Sequence, residues 1–202
     1  MKSKYIHILN QYLPANSAEY IADLIIKHKV NFKISKPRKT KLGDYRYPKN
    51  GHTHRISVNG DLNPYSFLIT SIHEFAHLTT YNKYQHAVTP HGNEWKKEFV
   101  KIFTPLFDFV ELPDDISRAL HNYFKNPKAS SCTDDRLMRV LKRYDLNNDK
   151  ILVENLKIGE KFKLNSKTFV KGKRLRKYYL CKDLLTGRHY RVNGLAQIKK
   201  IQ

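Results

Sequence analysis

The chain has 202 residues, 40% hydrophobic and 12% aromatic, and carries 38 Lys and Arg against 18 Asp and Glu, a formal net charge of +20. That length and composition suit one good-sized domain, or one domain with a small module, and exclude a disordered chain. The charge favours a polyanionic partner, most often nucleic acid, over a merely basic protein.

Lys4 to Leu13 predicts a short helix stopped by Pro14. Before it, Met1-Lys2-Ser3 leads straight into a polar-apolar pattern with no signal peptide. Asn16 with Glu19 three residues on has the spacing of a capping box, and Tyr20, Ile21, Leu24 and Ile25 mark a second amphipathic helix to about Lys29. Val30 to Ile34 alternates as a strand. Lys36 to Asn50 is a basic turn or hairpin, either a solvated loop or a phosphate contact. His52 to Asn59 alternates again, with Ile56 and Val58 on the face of His52 and His54. Histidines on a strand beside a core are usually structural or solvated rather than ligands.

The strongest local signal follows. Asn63 is a good N-cap and Pro64 suits the first helical position, so the next stretch predicts a long helix. It contains His73-Glu74-Phe75-Ala76-His77, the pattern H-E-x-x-H. With ten His and seven Glu in the chain, chance supplies roughly 0.02 such pentads. Histidines at i and i+4 share a helical face about 6 Å apart and can bind one metal ion. Glu74, about 100° further round, can reach a water on that ion without ligating it. Leu68, Ile72, Phe75 and Thr79 give the other side a packing stripe.

A hydrolytic zinc site needs a third ligand. The metzincin extension fails, because Thr80 and Lys83 stand where Gly and His would be. Glu94 and Glu98 are available by position, as a gluzincin arrangement would use them. His91, in Pro90-His91-Gly92, sits in a turn at the head of a helix whose Trp95, Phe99, Ile102 and Phe103 form a core stripe. His86 lies in a loop without such framing.

Leu106 to Val110 is short and apolar, and a helix runs from Leu112-Pro113-Asp114-Asp115 through Phe124 to Asn126-Pro127. Cys132-Thr133-Asp134-Asp135 opens another, with Thr133 as cap. Asp145 to Asp149 invites a calcium-loop reading that fails, since Lys150 and Leu156 replace the required Gly and Glu. From about Ile151 the composition shifts. Residues 155–202 hold fourteen Lys and Arg and two acids, in β-prone runs at 161–164, 168–170, 177–181 and 189–192. Asn165-Ser166, Lys171-Gly172-Lys173, Thr186-Gly187 and Asn193-Gly194 supply the turns. Phe162, Phe169, Tyr178, Tyr179 and Tyr190 alternate with cations, a pattern for base stacking and phosphate contact or for a core with a solvated face. The candidate nucleic-acid contacts are Lys161, Lys163, Arg174, Arg176, Lys177, Arg188 and Arg191.

The pentad, the short loop and the His91-Gly92-x-x-Trp95 that follows resemble the SprT-like metalloproteases. Leu42 to Arg46 and His54 to Asn59 extend the likeness to roughly residues 1–125. The resemblance implies that His73, His77 and His91 bind Zn2+ and that Glu74 is the catalytic base. It implies an α+β fold in which a zincin-like helical core with a small antiparallel sheet occupies residues 1–145. A small basic antiparallel β module then takes residues 146–202. By the same likeness, residues 52–59 would form an edge strand able to hold an extended peptide. SprT-like proteins often carry a zinc ribbon after the protease domain. This chain has Cys132 and Cys181 but no C-x-x-C pair, so a four-cysteine ribbon cannot form.

The function implied is a zinc-dependent endopeptidase that acts on DNA-bound or DNA-crosslinked proteins. Its partners would be a protein substrate and DNA, with no membrane. Two cysteines give no disulfide framework, and the cytoplasm is the default location. Two other readings stay open: a non-proteolytic nucleic-acid-binding regulator with a structural zinc, and a general intracellular peptidase.

Overall fold

A computed structural model describes residues 1–38, 40–49, 51–128, 134–145 and 151–201. The chain divides into two compact units, Met1–Tyr144 and Asp145–Gln202. The first runs α1 (Lys2–Leu9), α2 (Ala18–Lys27), β1 (Asn31–Ser35), β2 (Gly43–Arg46), β3 (Arg55–Asn59), α3 (Pro64–Tyr84), α4 (Asn93–Phe103), α5 (Leu106–Phe109), α6 (Asp114–Phe124) and α7 (Asp135–Leu141). The class is α+β.

Two N-terminal expectations change. α1 stops at Leu9, because Gln11 and Tyr12 donate to Ile8 and Leu9 in tighter i to i+3 turns. These turn the chain before Pro14 could end it. The Asn16/Glu19 capping box does not form. Asn16 takes a left-handed φ of 66° to close the turn, and Ser17 becomes the N-cap of α2, its hydroxyl donating to Pro14 O at 2.6 Å. Glu19 pairs with Lys2 instead.

α3 starts as its sequence dictates. The Asn63 side chain accepts from the Ser66 N–H at 2.9 Å, and Pro64 occupies the first turn. Its amide also donates to Leu141 O at 2.9 Å, which ties the start of α3 to the end of α7. The helix is buried on more than one face, since Phe67, Ser71 and Ala76 are covered as well as Leu68, Ile72 and Phe75. Sheet and α4 enclose it from different sides, so one apolar stripe would not suffice.

The sheet order is β1–β3–β2. The small sheet is mixed and not the antiparallel one expected: β2 and β3 pair antiparallel, with Tyr45 opposite Ile56, but β1 joins β3 in parallel, Phe32 opposite Ile56. The 52–59 segment is therefore not an edge. Its strand is central, with Ile56 and Val58 in the core, and the basic loop supplies β2 to cover it. Cys132 and Thr133 lie outside the described residues, as do residues 146–150 of the rejected calcium loop; Asp134 caps α7, accepting from Arg136 and Leu137 N–H.

The second unit is an antiparallel sheet ordered β4 (Ile151–Leu152), β9 (Gln197–Lys200), β5 (Lys161–Leu164), β6 (Lys167–Leu175), β7 (Tyr178–Asp183), β8 (His189–Asn193). The Lys171-Gly172-Lys173 turn is replaced by a bulge inside β6, where a Cβ on Gly172 would collide with Leu180 O. The reversal comes later, at Arg176 with φ 52°. Phe162 and Phe169 stack at 5.6 Å in the core, with Tyr179 and Tyr190 packed against them. Phe162 and Phe169 are thereby taken up by the core, while Tyr178 lies outside that cluster and is half-buried. Alternation in a single small sheet puts its large apolar side chains on the one face that has a core.

Candidate metal centre

Helical periodicity places His73 and His77 on one face of α3, and their Nε2 atoms stand 3.2 Å apart. His91 arrives from the turn before α4, its Nε2 also 3.2 Å from that of His73. His91 holds a left-handed φ of 61°, uncommon for a residue with a side chain. Gly92 next to it is extended, and it is glycine for space. A Cβ there would sit 2.8 Å from Thr89 Oγ1 and 3.0 Å from Thr89 O.

Trp95, fully buried on the first turn of α4, backs the group. Its ring lies 4.6 Å from that of His73, 4.9 Å from His91 and 5.5 Å from His77. Tyr45 of β2 lies nearly parallel to the His77 ring at 6.2 Å, with its hydroxyl 2.9 Å from His54 Nδ1. His54 is thus tied to the site's surroundings, and His86 packs on Tyr47 and Tyr81. Glu98 is ion-paired with Lys83. Among the described residues, the group able to hold one metal ion is His73, His77 and His91, without Glu94 or Glu98.

These donors fit a tetrahedral cation. Zn–N bonds of about 2.0–2.1 Å at tetrahedral angles put ligand nitrogens about 3.3 Å apart, close to the 3.2 Å from His73 to His77 and to His91. Burial favours the neutral form of all three rings, the form that a ligand set requires. Burial first, and then the neighbouring imidazoles, pushes His73 down to about 2. Burial and His91 push His77 down to about 3, and burial lowers His91. A cation where the three nitrogens converge would face all of them.

Glu74 lies beneath β2, accepting from the Tyr45 backbone N–H. Gly43 makes the room: a Cβ there would collide with Glu74 Oε1 and stand 2.8 Å from Thr70 Cγ2. Burial, then the charge of Asp44, pushes the Glu74 carboxyl up to about 8, against the opposing pull of Arg38, Lys41 and the Tyr45 N–H. Strand β2 therefore roofs both His77 and Glu74. The clue in the sequence was a glycine two residues before an aromatic in Gly43-Asp44-Tyr45, which spacing alone does not connect to the pentad.

The candidate nucleic-acid contacts are all exposed, but they do not converge. Lys161, Lys163 and Arg191 lie on the sheet face opposite the core. Arg174, Arg176 and Lys177 gather at the β6–β7 hairpin, and Arg188 sits at the β7–β8 turn, the other end of β7. Lys171, by contrast, is buried, donating to Glu154 O at 3.1 Å and Leu156 O at 2.5 Å beneath the Tyr179 ring.

An α+β unit whose central helix brings two histidines to a third, with a buried carboxylate next to them in the helix, has the form of a metal-dependent hydrolase site. Comparison with protein families matches residues 7–110 to the SprT-like family, and the chain belongs to that family. It is a family generally associated with metallopeptidases. No curated protein and no solved structure matches the chain. No helix among the described residues is long and apolar enough to cross a membrane.

Proposed function

We propose that this protein is a zinc-dependent endopeptidase that cleaves proteins bound or crosslinked to DNA. The observation that carries the reading is the meeting of the His73, His77 and His91 nitrogens at ligand spacing, with Glu74 buried beside them on the same helix. A zinc ion held by the three imidazoles would supply a Lewis acid and make a water acidic enough to ionise near neutral pH.

The protein's own groups do the rest. Glu74 takes a proton from the attacking water and returns it to the leaving amine. Burial, helped by Asp44, raises that carboxyl to about 8, and a divalent cation beside it would lower it and favour the carboxylate that a base requires. Trp95 and Tyr45 confine the rings. The outer edge of β2 is free of a strand partner among the described residues and can pair with an extended peptide. The +20 charge and the exposed cations of the second unit support a DNA partner.

Metal analysis with casein and histone digests, with and without single-stranded DNA, tests the proposal. Wild type should contain one zinc and cleave faster with DNA. Glu74→Gln should keep the metal and lose at least about 100-fold in rate. A Glu74→Gln variant as active as wild type overturns the mechanism. DNA binding without any cleavage would favour a regulator with a structural zinc, and cleavage indifferent to DNA a general peptidase.

A further inference from the structure

The three-stranded sheet has two faces, and only one is used by the core. Phe32, Ile34, Ile56 and Val58 point toward the helices. On the other side, alternation and register align Asn31, Arg55 and Arg46 in one cross-strand row, and Lys33, Ser57 and Asp44 in the next. Arg38, from the loop after β1, folds over this face. Its Nε donates to Asn59 Oδ1 at 2.7 Å and its Nη1 to Ser57 Oγ at 3.0 Å, with Nη2 near Ser57 O. Together these groups line a cavity of about 350 Å³ whose floor includes Ile56.

Two features separate this face from an ordinary solvated one. Arg46 and Arg55 are direct cross-strand partners, and like charges so placed destabilise a sheet. The acid on the face, Asp44, is occupied by Lys41 and Arg46 at 2.7 and 2.9 Å. Among the described residues, no carboxylate pairs with Lys33, Arg38 or Arg55. The Arg38 guanidinium is already fixed by neutral hydrogen-bond acceptors, so little ordering cost remains when an anion arrives.

We infer that this face is a nucleic-acid backbone site, in which Lys33, Arg38, Arg46 and Arg55 hold successive phosphates of a strand. The two rows are about 6.7 Å apart along the strands, a spacing that an extended phosphodiester chain can follow. Guanidinium forks suit phosphate oxygens, and a +20 protein draws a long polyanion most strongly. The lining offers no aromatic side chain, so the contact reads charge and not base identity. This surface lies in the first unit and adds to the cations of the second. It extends the DNA part of the function proposed above and is independent of the hydrolytic part.

The test uses the full chain and a labelled oligothymidine, with binding followed by anisotropy across a salt titration. The triple variant Lys33→Gln, Arg46→Gln, Arg55→Gln removes three exposed cations and leaves Arg38 to hold its loop. Its slope of log affinity against log salt should be shallower by about 2, with affinity at low salt down about tenfold or more. A control triple, Lys27→Gln, Lys97→Gln, Lys101→Gln, removes the same charge from α2 and α4 and should keep the wild-type slope. Lys33→Glu alone repeats the test with a single exposed change should the triple melt early. Wild-type binding by the sheet-face variants, or an equal loss in the control, overturns the proposal, as does competition by poly-glutamate as effective as that by DNA. The assay reads binding alone. A wild type that binds DNA but never hydrolyses casein would sink the peptidase reading and leave this one standing.

Discussion

Gly43 shows how narrow the tolerances around the site are. The Glu74 carboxylate occupies the space a side chain would need on β2, and Thr70 closes the other side. Gly43→Ala should cost about 1–3 kcal/mol by overpacking, and should lower hydrolysis by moving Glu74 while the three imidazoles keep their metal. Thermal melting, metal content and rate together check this; a fully active, equally stable variant would show that the carboxylate does not rest there. The buried titratable groups also set a pH profile for the metal-free protein. His73 and His77 are held at about 2 and about 3 when folded, against 6.5 for a free ring. Between those values the unfolded chain binds more protons, so these two groups remove stability as pH falls below 6.5. Glu74 acts in the opposite sense. Its folded value of about 8 lies above 4.5, so its contribution is full at low pH and is lost as pH rises toward 8. Two rings outweigh one carboxyl on the acid side. Urea midpoints of chelator-treated protein should rise with pH to about 6.5 and decline gently above it. A profile that falls steadily from pH 5 upward would contradict burial of the rings.

At the scale of elements, α3 carries the site and is held at both ends of its environment. Asn63 caps it and anchors α7 in the same side chain. Asn63→Ala loses the cap and leaves the Leu141 carbonyl without that donor, which should cost about 2 kcal/mol or more. Asn63→Ser restores the cap alone and should recover about half of that. Equal destabilisation by both would show that the tie to α7, and not the cap, matters. The expected capping box at α2 illustrates the converse. Its two residues had the right spacing, but Asn16 was needed for a left-handed turn, and the backbone geometry took precedence. The misassigned Lys171-Gly172-Lys173 turn has a similar cause. Glycine there admits a close approach by Leu180, a need that belongs to the neighbouring strand.

For the whole molecule, charge is the dominant property, and the two units carry it differently. In the second unit the cations are spread over one sheet face and both ends of β7, around a core that takes up Phe162 and Phe169. Cations so spread attract a polyanion through their summed field. Replacing Arg174, Arg176 and Lys177 with Gln should shallow the salt dependence of DNA binding by about 2 and reduce DNA-stimulated cleavage, with casein cleavage in the absence of DNA unchanged. Unaltered DNA stimulation in that variant would assign the effect to other cations.

The amino-acid sequence by itself determined what depends on neighbours along the chain. The cap, the proline and the i, i+4 histidines of α3 are set by the 3.6-residue period, and the strands at 161–164 and 189–192 by alternation. β4 and β9 gave no such signal: Ile151–Leu152 is too short to show a period, and Gln197–Lys200 has one apolar residue. Tertiary structure alone decided that the basic loop becomes the edge strand and β3 the centre. It likewise decided that Gly43 and Tyr45 roof Glu74 and His77, and that the ring of His91 completes the group. Those are contacts between segments far apart in the chain, and their specificity comes from packing, which local periodicity does not encode.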